Sequence, residues 1–208
     1  MTTTSPELPA TASVVVLGGG VMGVSTAYHL AAAGVKEVVL VDRGPFGAGS
    51  TCKAAGGVRA QFSDRINIEL GQRSLRTFET FHEQFDQEID LQQVGYLFLL
   101  DSPENVTAFE QSVRLQNELG VPSRMVSVAE AKQMSPLIDT RGLVAAAYSP
   151  TDGHCTPESV VLGYVSAARR QGARLFANCA ATGIETVDGA VVAVLTEGGR
   201  IETQCHVA

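Results

Sequence analysis

The chain has 208 residues, of which 45% are hydrophobic and 18% charged, and its 15 basic and 22 acidic residues give a formal net charge of −7. This is the composition of a globular protein that is long enough to bury a sizeable core. The acidic balance argues against a nucleic-acid partner, because phosphate binding needs a basic surface.

The first predicted elements lie in a stretch that carries no charged residue from Leu8 to Val35. The stretch is long enough for a membrane span, but five glycines interrupt it, so we exclude a membrane anchor. Residues 13–17 form a short β-branched run that predicts a buried strand. Residues 21–33 predict a helix that stops at a glycine, and residues 38–41 predict a second buried strand.

The turn between the first strand and the helix reads GGGVMG and fits the pattern G-x-G-x-x-G. Gly18 permits a tight turn, Gly20 lets the main chain approach a pyrophosphate, and Gly23 lets the helix pack closely on the sheet. The helix begins at Val21 and Met22, where free N–H groups and the positive dipole end would face the phosphates. The turn therefore predicts a nucleotide cradle, and the alternative is a glycine turn between ordinary elements.

The second strand ends at Asp42, 19 residues after Gly23. A carboxylate at this place can accept hydrogen bonds from both ribose hydroxyls of an adenosine, and it would repel a 2′-phosphate, which disfavours NADP. NAD and FAD both use such a turn.

The remaining elements follow in chain order. The apolar period of residues 64–85 predicts one helix with its aromatic residues in the core. Further helices are predicted to begin at Ser102, Ser127 and Thr156, each from capping residues. The predicted strands lie near residues 95–100, 143–148, 173–176, 179–186, 190–196 and 200–206.

The extended spacing in GGGVMGVSTAYHLAAAG resembles the FAD-binding glutathione-reductase-like superfamily. Downstream, VDRGPFGAGSTCKAAGGVRAQFSDRINIELGQRSLRTFETF and DGHCTPESVVLGYVSAARRQGARL are similar to the D-amino-acid oxidase/sarcosine oxidase family. Within that family they are most similar to the branch of the sarcosine oxidase β-subunit and dimethylglycine dehydrogenase. The resemblance runs from about Ser13 to the end of the chain.

The resemblance implies roles for residues on both sides of the second strand's end. Asp42 would hold the adenosine ribose and Arg43 would flank the adenine. Ser50 and Thr51 would hydrogen-bond the FAD phosphates, and the main chain at Ala181 would touch the adenine. The resemblance also implies that four consecutive residues run beside the ribityl chain and the flavin, namely Ala55, Gly56, Gly57 and Val58. The alternative for the Gly/Ala-rich segment GAGSTCKAAGG, residues 47–57, is a flexible surface loop.

Two departures from the family pattern concern covalent attachment. Lys53 stands where dimethylglycine dehydrogenases have a histidine tethered to FAD. Pro157 stands where sarcosine oxidase β-subunits have a histidine that carries FMN. The resemblance therefore implies non-covalent FAD through the residues present, and no covalent FMN.

The implied fold is α/β, with a Rossmann-like FAD-binding domain interleaved with part of an α+β substrate domain. Residues 1–62 and 150–208 would form the FAD-binding domain, incomplete at its C-terminus, and residues 63–149 would form part of the substrate domain. Members of the family are longer, so we expect an N-terminal fragment that is incomplete for activity.

The implied reaction is hydride transfer from a C–H bond beside an amine nitrogen to flavin N5, with oxygen or another electron acceptor as oxidant. The substrate would be a small amine or amino acid, of the N-methyl glycine type, proline or a D-amino acid. Arg59 and Lys53 are the catalytic candidates, because a cation near the ring can stabilise reduced-flavin charge or a substrate carboxylate. Both can equally be ordinary loop residues, and Gln61 and His154 are weaker candidates.

The four cysteines form no CxxC motif and the sequence shows no metal-ligand cluster, so we expect no metal and reduced thiols in a cytoplasmic protein. The sequence leaves a homo- or hetero-oligomer open. Two other functions also stay open. One is an NAD-dependent dehydrogenase, and the other is a non-catalytic flavin-binding subunit.

Overall fold

The structure is a computed structural model that describes residues 7–203 and 205–207. It contains six helices in this described part: α1 (Val21–Ala32), α2 (Arg65–Glu79), α3 (Phe81–Phe85), α4 (Pro103–Glu118), α5 (Val128–Met134) and α6 (Pro157–Arg170). The strands are β1 (Val14–Leu17), β2 (Val38–Val41), β3 (Gly57–Val58), β4 (Tyr96–Leu100), β5 (Arg124–Val126), β6 (Ala145–Ser149), β7 (Gly153–His154), β8 (Arg174–Phe176), β9 (Ala181–Val187), β10 (Ala190–Thr196), β11 (Gly199–Glu202) and β12 (His206–Val207).

The chain divides into two compact units. The described residues of the first unit fall within 1–54, 82–88 and 157–208, and those of the second within 55–81 and 89–156. These limits differ from the domain limits predicted at 62/63 and 149/150. The difference at residues 82–88 has a physical cause, since the ring of Phe85 lies 5.1 Å from that of Tyr28 and 4.9 Å from that of Tyr164. Arg170 also donates a hydrogen bond to Phe85 O at 2.9 Å.

The first unit is built on a parallel sheet in the order β12-β1-β2-β8. β2 is buried along its whole length, as its β-branched run predicts for a strand covered on both faces. One face packs against α1 and α6, and the other packs against the antiparallel sheet β11-β10-β9. Val15, Val39, Val194 and Ile201 meet in the core between the two sheets. Burial of each such side chain contributes about 1.5–3 kcal/mol.

The second unit contains a three-stranded antiparallel sheet in the order β4-β6-β5 and a two-stranded pair of β3 with β7. One core cluster joins Ala60 to Ile68 and Leu75 of α2. A second cluster joins α5 to the sheet through Ala131, and Ala146 lies in it. No helix in the part of the chain that the structure describes is long and apolar enough to cross a bilayer.

Two predicted elements are interrupted. The single helix predicted over residues 64–85 is wrong, because it breaks at Thr80, a β-branched residue whose hydroxyl donates to Arg76 O at 3.1 Å. The strand predicted over residues 200–206 is divided into β11 and β12. Thr203 Oγ1 accepts a hydrogen bond from Cys205 N at 3.3 Å and donates to Cys205 O at 2.9 Å. The chain therefore turns there and passes from the antiparallel to the parallel sheet.

Candidate functional site

The glycine turn after β1 has a main-chain geometry that side chains would prevent. Gly18 has a φ of +105°, which L residues rarely adopt, and its N–H donates to Val41 O at 2.9 Å. α1 passes so close to the turn that a Cβ on Gly23 would lie 1.8 Å from Gly18 O. This geometry agrees with the roles predicted for both glycines, one in the turn and one in helix packing.

The first turn of α1 presents unsatisfied main-chain donors. Gly20 is the N-cap residue, and because it has no side chain it provides no capping hydrogen bond to the first turn. Val21 N–H donates to Thr51 Oγ1 at 3.1 Å. The N–H groups of Gly20, Met22 and Gly23 have no acceptor among the described residues. Donors arranged in this way, together with the helix dipole, favour binding of an anion.

A cavity of about 270 Å³ opens beside these donors. It lies at the carboxyl end of β1, where the strand order reverses, because β2 and β8 lie on one side of β1 and β12 on the other. Open α/β sheets bind their ligands at such a point. The cavity is lined by Val16, Leu17, Gly18, Gly20, Met22, Gly23 and Thr26. The cavity therefore brings together four of the predicted cradle residues.

Asp42 connects the end of β2 to the glycine turn. Its Oδ2 accepts a hydrogen bond from Gly19 N at 2.5 Å, and its Oδ1 accepts one from Gly44 N at 2.7 Å. Asp42 is not among the residues that line the cavity. A carboxylate has about four acceptor positions, so both oxygens keep capacity for further donors such as hydroxyls.

The loop after Asp42 packs on the same turn. Gly47 N–H donates to Gly19 O at 2.8 Å, and a Cβ on Gly19 would lie 2.4 Å from Phe46 Cδ1. A Cβ on Gly20 would lie 3.2 Å from Thr51 Oγ1. The close approach of this loop brings the Thr51 hydroxyl to the start of α1, as the phosphate-binding role predicted for it would require.

Four other predicted residues of the first unit are exposed. Arg43 and Ser50 lie in the loop, Lys53 ends the 3₁₀ turn Thr51–Lys53, and Ala181 begins β9. Thr51 accepts a hydrogen bond from Val21 N–H, whereas the Ser50 side chain makes no hydrogen bond among the described residues. The roles predicted for these four residues stay predictions.

The segment predicted to run beside the flavin lies in the second unit. Gly56 is buried with a φ of +73°, and its carbonyl accepts a hydrogen bond from Cys155 N at 2.9 Å. Gly57 and Val58 form β3, which pairs with β7, and Ala55 is exposed. Residues 56–58, at the end of the Gly/Ala-rich segment, are therefore held by main-chain hydrogen bonds, and their role beside the flavin stays a prediction.

Arg59 follows β3 and lies in a cage of aromatic rings. Its guanidinium carbon is 5.0 Å from the ring centroid of Phe62, 5.7 Å from that of Tyr96 and 5.6 Å from that of Phe98. Its Nε is buried and has no hydrogen-bond partner in the described part of the chain. Cation–π contacts hold the charge in place while leaving its N–H groups available to an anion.

Sequence reasoning missed Asp152, which lies between β6 and β7. The residue is fully buried, and its Oδ1 accepts a hydrogen bond from Ala60 N at 3.0 Å. Burial raises the pKa of this carboxyl, and the hydrogen bond from Ala60 N–H, together with the nearby polar groups of Gln61 and Ser149, partly offsets the rise. In the sequence, an Asp before a Gly is typical of an ordinary turn. No neighbouring residue indicates a hydrogen bond to a residue 92 positions away.

The two weaker candidates differ in burial. Gln61 is buried and donates a hydrogen bond to Tyr96 O at 2.9 Å, whereas His154 is exposed.

No group of three or more His, Cys, Asp or Glu side chains that could hold a metal occurs within residues 7–203 and 205–207.

A comparison with known families assigns the chain to a family. The family described as DAO, FAD dependent oxidoreductase, matches residues 13–208. The chain belongs to this family. The predicted family and the predicted α/β fold are therefore confirmed.

Several known proteins are similar to the chain over most of its length. Mouse mitochondrial sarcosine dehydrogenase is 34% identical over 212 residues, which cover 98% of this chain and 23% of that protein. The mitochondrial regulatory subunit of mouse pyruvate dehydrogenase phosphatase is 29% identical over 203 residues, which cover 98% of this chain and 23% of that protein. Dimethylglycine dehydrogenases from rat, mouse and human and the sarcosine oxidase β subunit of Rhodobacter capsulatus also match.

Among solved structures, L-proline dehydrogenase from P. horikoshii superposes with a TM-score of 0.86 and is 33% identical. The match covers 96% of this chain and 52% of that structure. The chain thus spans about a quarter of the curated sarcosine dehydrogenase and about half of the solved proline dehydrogenase.

Proposed function

We propose that the protein containing this chain is an FAD-dependent oxidoreductase that oxidises the carbon–nitrogen bond of a small amine or amino acid. The observation that carries the proposal is the bare glycine cradle beside the cavity at the end of β1, in a chain of the DAO family. The substrate class follows the names of its relatives, which act on sarcosine, dimethylglycine and L-proline.

The residues of the cradle fit a dinucleotide. A Cβ on Gly20 would crowd Thr51, so the turn has room for a ligand only because glycine occupies this place. The free N–H groups of Gly20 and Met22 would receive the pyrophosphate, and Asp42 would accept from the adenosine ribose. Lys53 offers no histidyl link, which supports non-covalent attachment through this segment.

When bound, the flavin supplies the hydride-accepting chemistry, and the protein binds and orients the reactants. Three aromatic rings hold the Arg59 guanidinium, so it can provide a positioned positive charge to a substrate carboxylate or to a developing anion. Lys53, the other candidate for this role, is exposed at the end of the 3₁₀ turn, so the structure offers less support for it than for Arg59.

The experiment is a visible spectrum of the purified full-length protein, followed by anaerobic addition of sarcosine, dimethylglycine, L-proline or D-alanine. We expect a flavin absorption band that bleaches with at least one of these amines. A colourless protein that binds NAD would instead make it an NAD-dependent dehydrogenase. Acid precipitation should release the flavin into the supernatant, because the proposed attachment is non-covalent.

A second candidate function is a flavin-binding subunit without turnover. It is favoured by the similarity to the regulatory subunit of pyruvate dehydrogenase phosphatase, which nearly equals the similarity to sarcosine dehydrogenase in coverage. The same titration distinguishes this subunit from the amine oxidoreductase. A bound flavin that dithionite reduces, but that no amine bleaches, would support a flavin-binding subunit without turnover.

The oxidant, the oligomeric state and the cytoplasmic location stay predictions. The names of the relatives include both an oxidase and a dehydrogenase. Oxygen and another electron acceptor therefore both stay open as the oxidant. Stopped-flow reoxidation by oxygen would distinguish them.

A further inference from the structure

Asp152 is a carboxyl group buried without a cation. Its exposure is 0%, and no ion pair within the described residues includes it. One oxygen accepts from Ala60 N–H, and the other, Oδ2, is buried and lacks a hydrogen-bond partner there. Its own carbonyl accepts from Gly95 N at 2.9 Å, which fixes the turn that carries it. Such burial is costly, so a structural role alone would favour an uncharged residue.

The residue that Asp152 contacts is the direct neighbour of Arg59. Ala60 is 1% exposed, and its N–H belongs to the peptide that joins it to Arg59. On α2, a Cβ on Gly71 would lie 2.8 Å from Arg59 O and 3.0 Å from Ala60 Cα. This peptide is therefore held by the hydrogen bond that Ala60 N–H donates to Asp152 Oδ1, and by close contact with a helix that only glycine permits.

Within residues 7–203, the side chain of Arg59 has no anionic partner that directs it. Its guanidinium rests on aromatic rings, and its buried Nε is unpaired among the described residues. Ring contacts hold the charge over the ring faces but do not select one orientation of the guanidinium. How the guanidinium sits among these rings consequently also depends on the position of the main chain from which the side chain projects.

We propose that Asp152 is a positioning residue, whose hydrogen bond from Ala60 N–H fixes the main chain after β3 and thereby directs the Arg59 guanidinium toward the anionic group that it serves in the reaction. The proposal rests on the proposed function for the role of Arg59. The raised pKa of Asp152 agrees with it, since a neutral carboxyl still accepts from Ala60 N–H through its carbonyl oxygen.

The experiment compares the full-length protein with its Asp152→Ala, Asp152→Asn and Ser123→Ala variants. Ser123 is the matched control, because it is also buried in the second unit and its hydroxyl has no partner among the described residues, but it makes no hydrogen bond to the Arg59 peptide there. Asn keeps an acceptor oxygen for Ala60 N–H, whereas Ala removes it. Asp152→Ser, with a shorter side chain, replaces Asp152→Ala if the latter does not fold.

The first measurement is hydrogen–deuterium exchange of the peptide spanning residues 57–62, which needs no substrate. We expect faster exchange in Asp152→Ala, and exchange like that of the unmodified protein in Asp152→Asn and Ser123→Ala. Unchanged exchange in Asp152→Ala would overturn the proposal whether or not the protein oxidises amines.

The second measurement is a double-mutant cycle on kcat/KM with the amine that bleaches the flavin. Asp152→Ala should lower kcat/KM by on the order of 100-fold, as misplacement of a catalytic group by about 1 Å does. In an Arg59→Met background the same change should cost less than about threefold, because residues that act as a unit are not additive. Equal losses in both backgrounds would mean that Asp152 does not act through Arg59. If no amine is oxidised, the proposed function fails, and exchange alone decides the role of Asp152.

Discussion

Asp42 Oδ2 accepts a hydrogen bond of 2.5 Å from Gly19 N–H, so the acid at the end of β2 is tied to the glycine turn at the end of β1. The side chain predicted to hold a ribose thus also shapes the cradle for the phosphates. Both roles can coexist, since each carboxylate oxygen accepts more than one hydrogen bond.

Asp42→Ala should therefore have two effects. Gly19 and Gly44 lose their acceptor, which lowers the free energy of unfolding of the flavin-free protein by about 1–3 kcal/mol. The Kd for FAD should rise at least tenfold, because charge-assisted hydrogen bonds to the ribose are worth about 1.5–3 kcal/mol each. Urea unfolding and fluorescence titration with FAD measure the two effects. Glu110→Ala, on the exposed surface of α4, is the control, and a loss of stability with an unaltered Kd would limit Asp42 to a structural role.

Gly20→Val should abolish most flavin binding and leave the fold largely intact. The N-cap φ of −73° is open to any residue, so the substitution brings no backbone strain, but its methyl groups would fill the space beside Thr51 that a pyrophosphate needs. Flavin content per protein, read from the visible spectrum, checks this. Gly49→Ala is the matched control, because a Cβ there meets nothing within 4 Å. Equal flavin content in the two variants would contradict the cradle.

Local patterns were sufficient to predict the cradle. The strands and helix around the glycines form within a residue or so of the predicted limits, because β-branched runs, a glycine turn and a terminating glycine all act over short distances. The same holds for Ser102 and Ser127, whose hydroxyls accept from the N–H groups of Asn105 and Glu130 as capping predicts.

Long-range contacts account for what the sequence did not predict. Arg59 meets rings from Phe62, Tyr96 and Phe98, of which two come from a strand that is distant in the chain. The bond from Ala60 to Asp152 spans 92 positions. Neither the ring contacts nor this hydrogen bond produces a periodic pattern in the sequence. Residue type could therefore identify Arg59 as a candidate, but it could not identify Asp152, whose carboxyl accepts the hydrogen bond from Ala60.

Thr51→Val should weaken both the start of α1 and the binding of FAD. Valine keeps the shape but removes the hydroxyl that accepts from Val21 N–H, which costs about 1 kcal/mol of stability. The Thr51 hydroxyl can also donate to a phosphate oxygen while it accepts this bond. Chemical unfolding and FAD titration of Thr51→Val and Thr51→Ser separate the effects. Serine should behave like the unmodified protein, and a threefold or smaller change in Kd for valine would argue that the hydroxyl does not reach the phosphates.

Asp152 predicts a specific dependence of stability on pH. Burial raises its pKa above the ordinary 3.8, so the native state binds the proton more tightly than the unfolded chain does. Its contribution to the free energy of unfolding is therefore fully present below about pH 3.8 and is lost as the pH rises through the folded pKa. Urea unfolding of the unmodified protein and of Asp152→Asn across this range isolates the effect, because asparagine does not titrate and all other groups are shared. The difference in unfolding free energy, unmodified minus Asp152→Asn, should fall as the pH rises and then become constant. A difference that rises with pH would mean that the folded protein prefers the carboxylate, and that its pKa is lowered rather than raised.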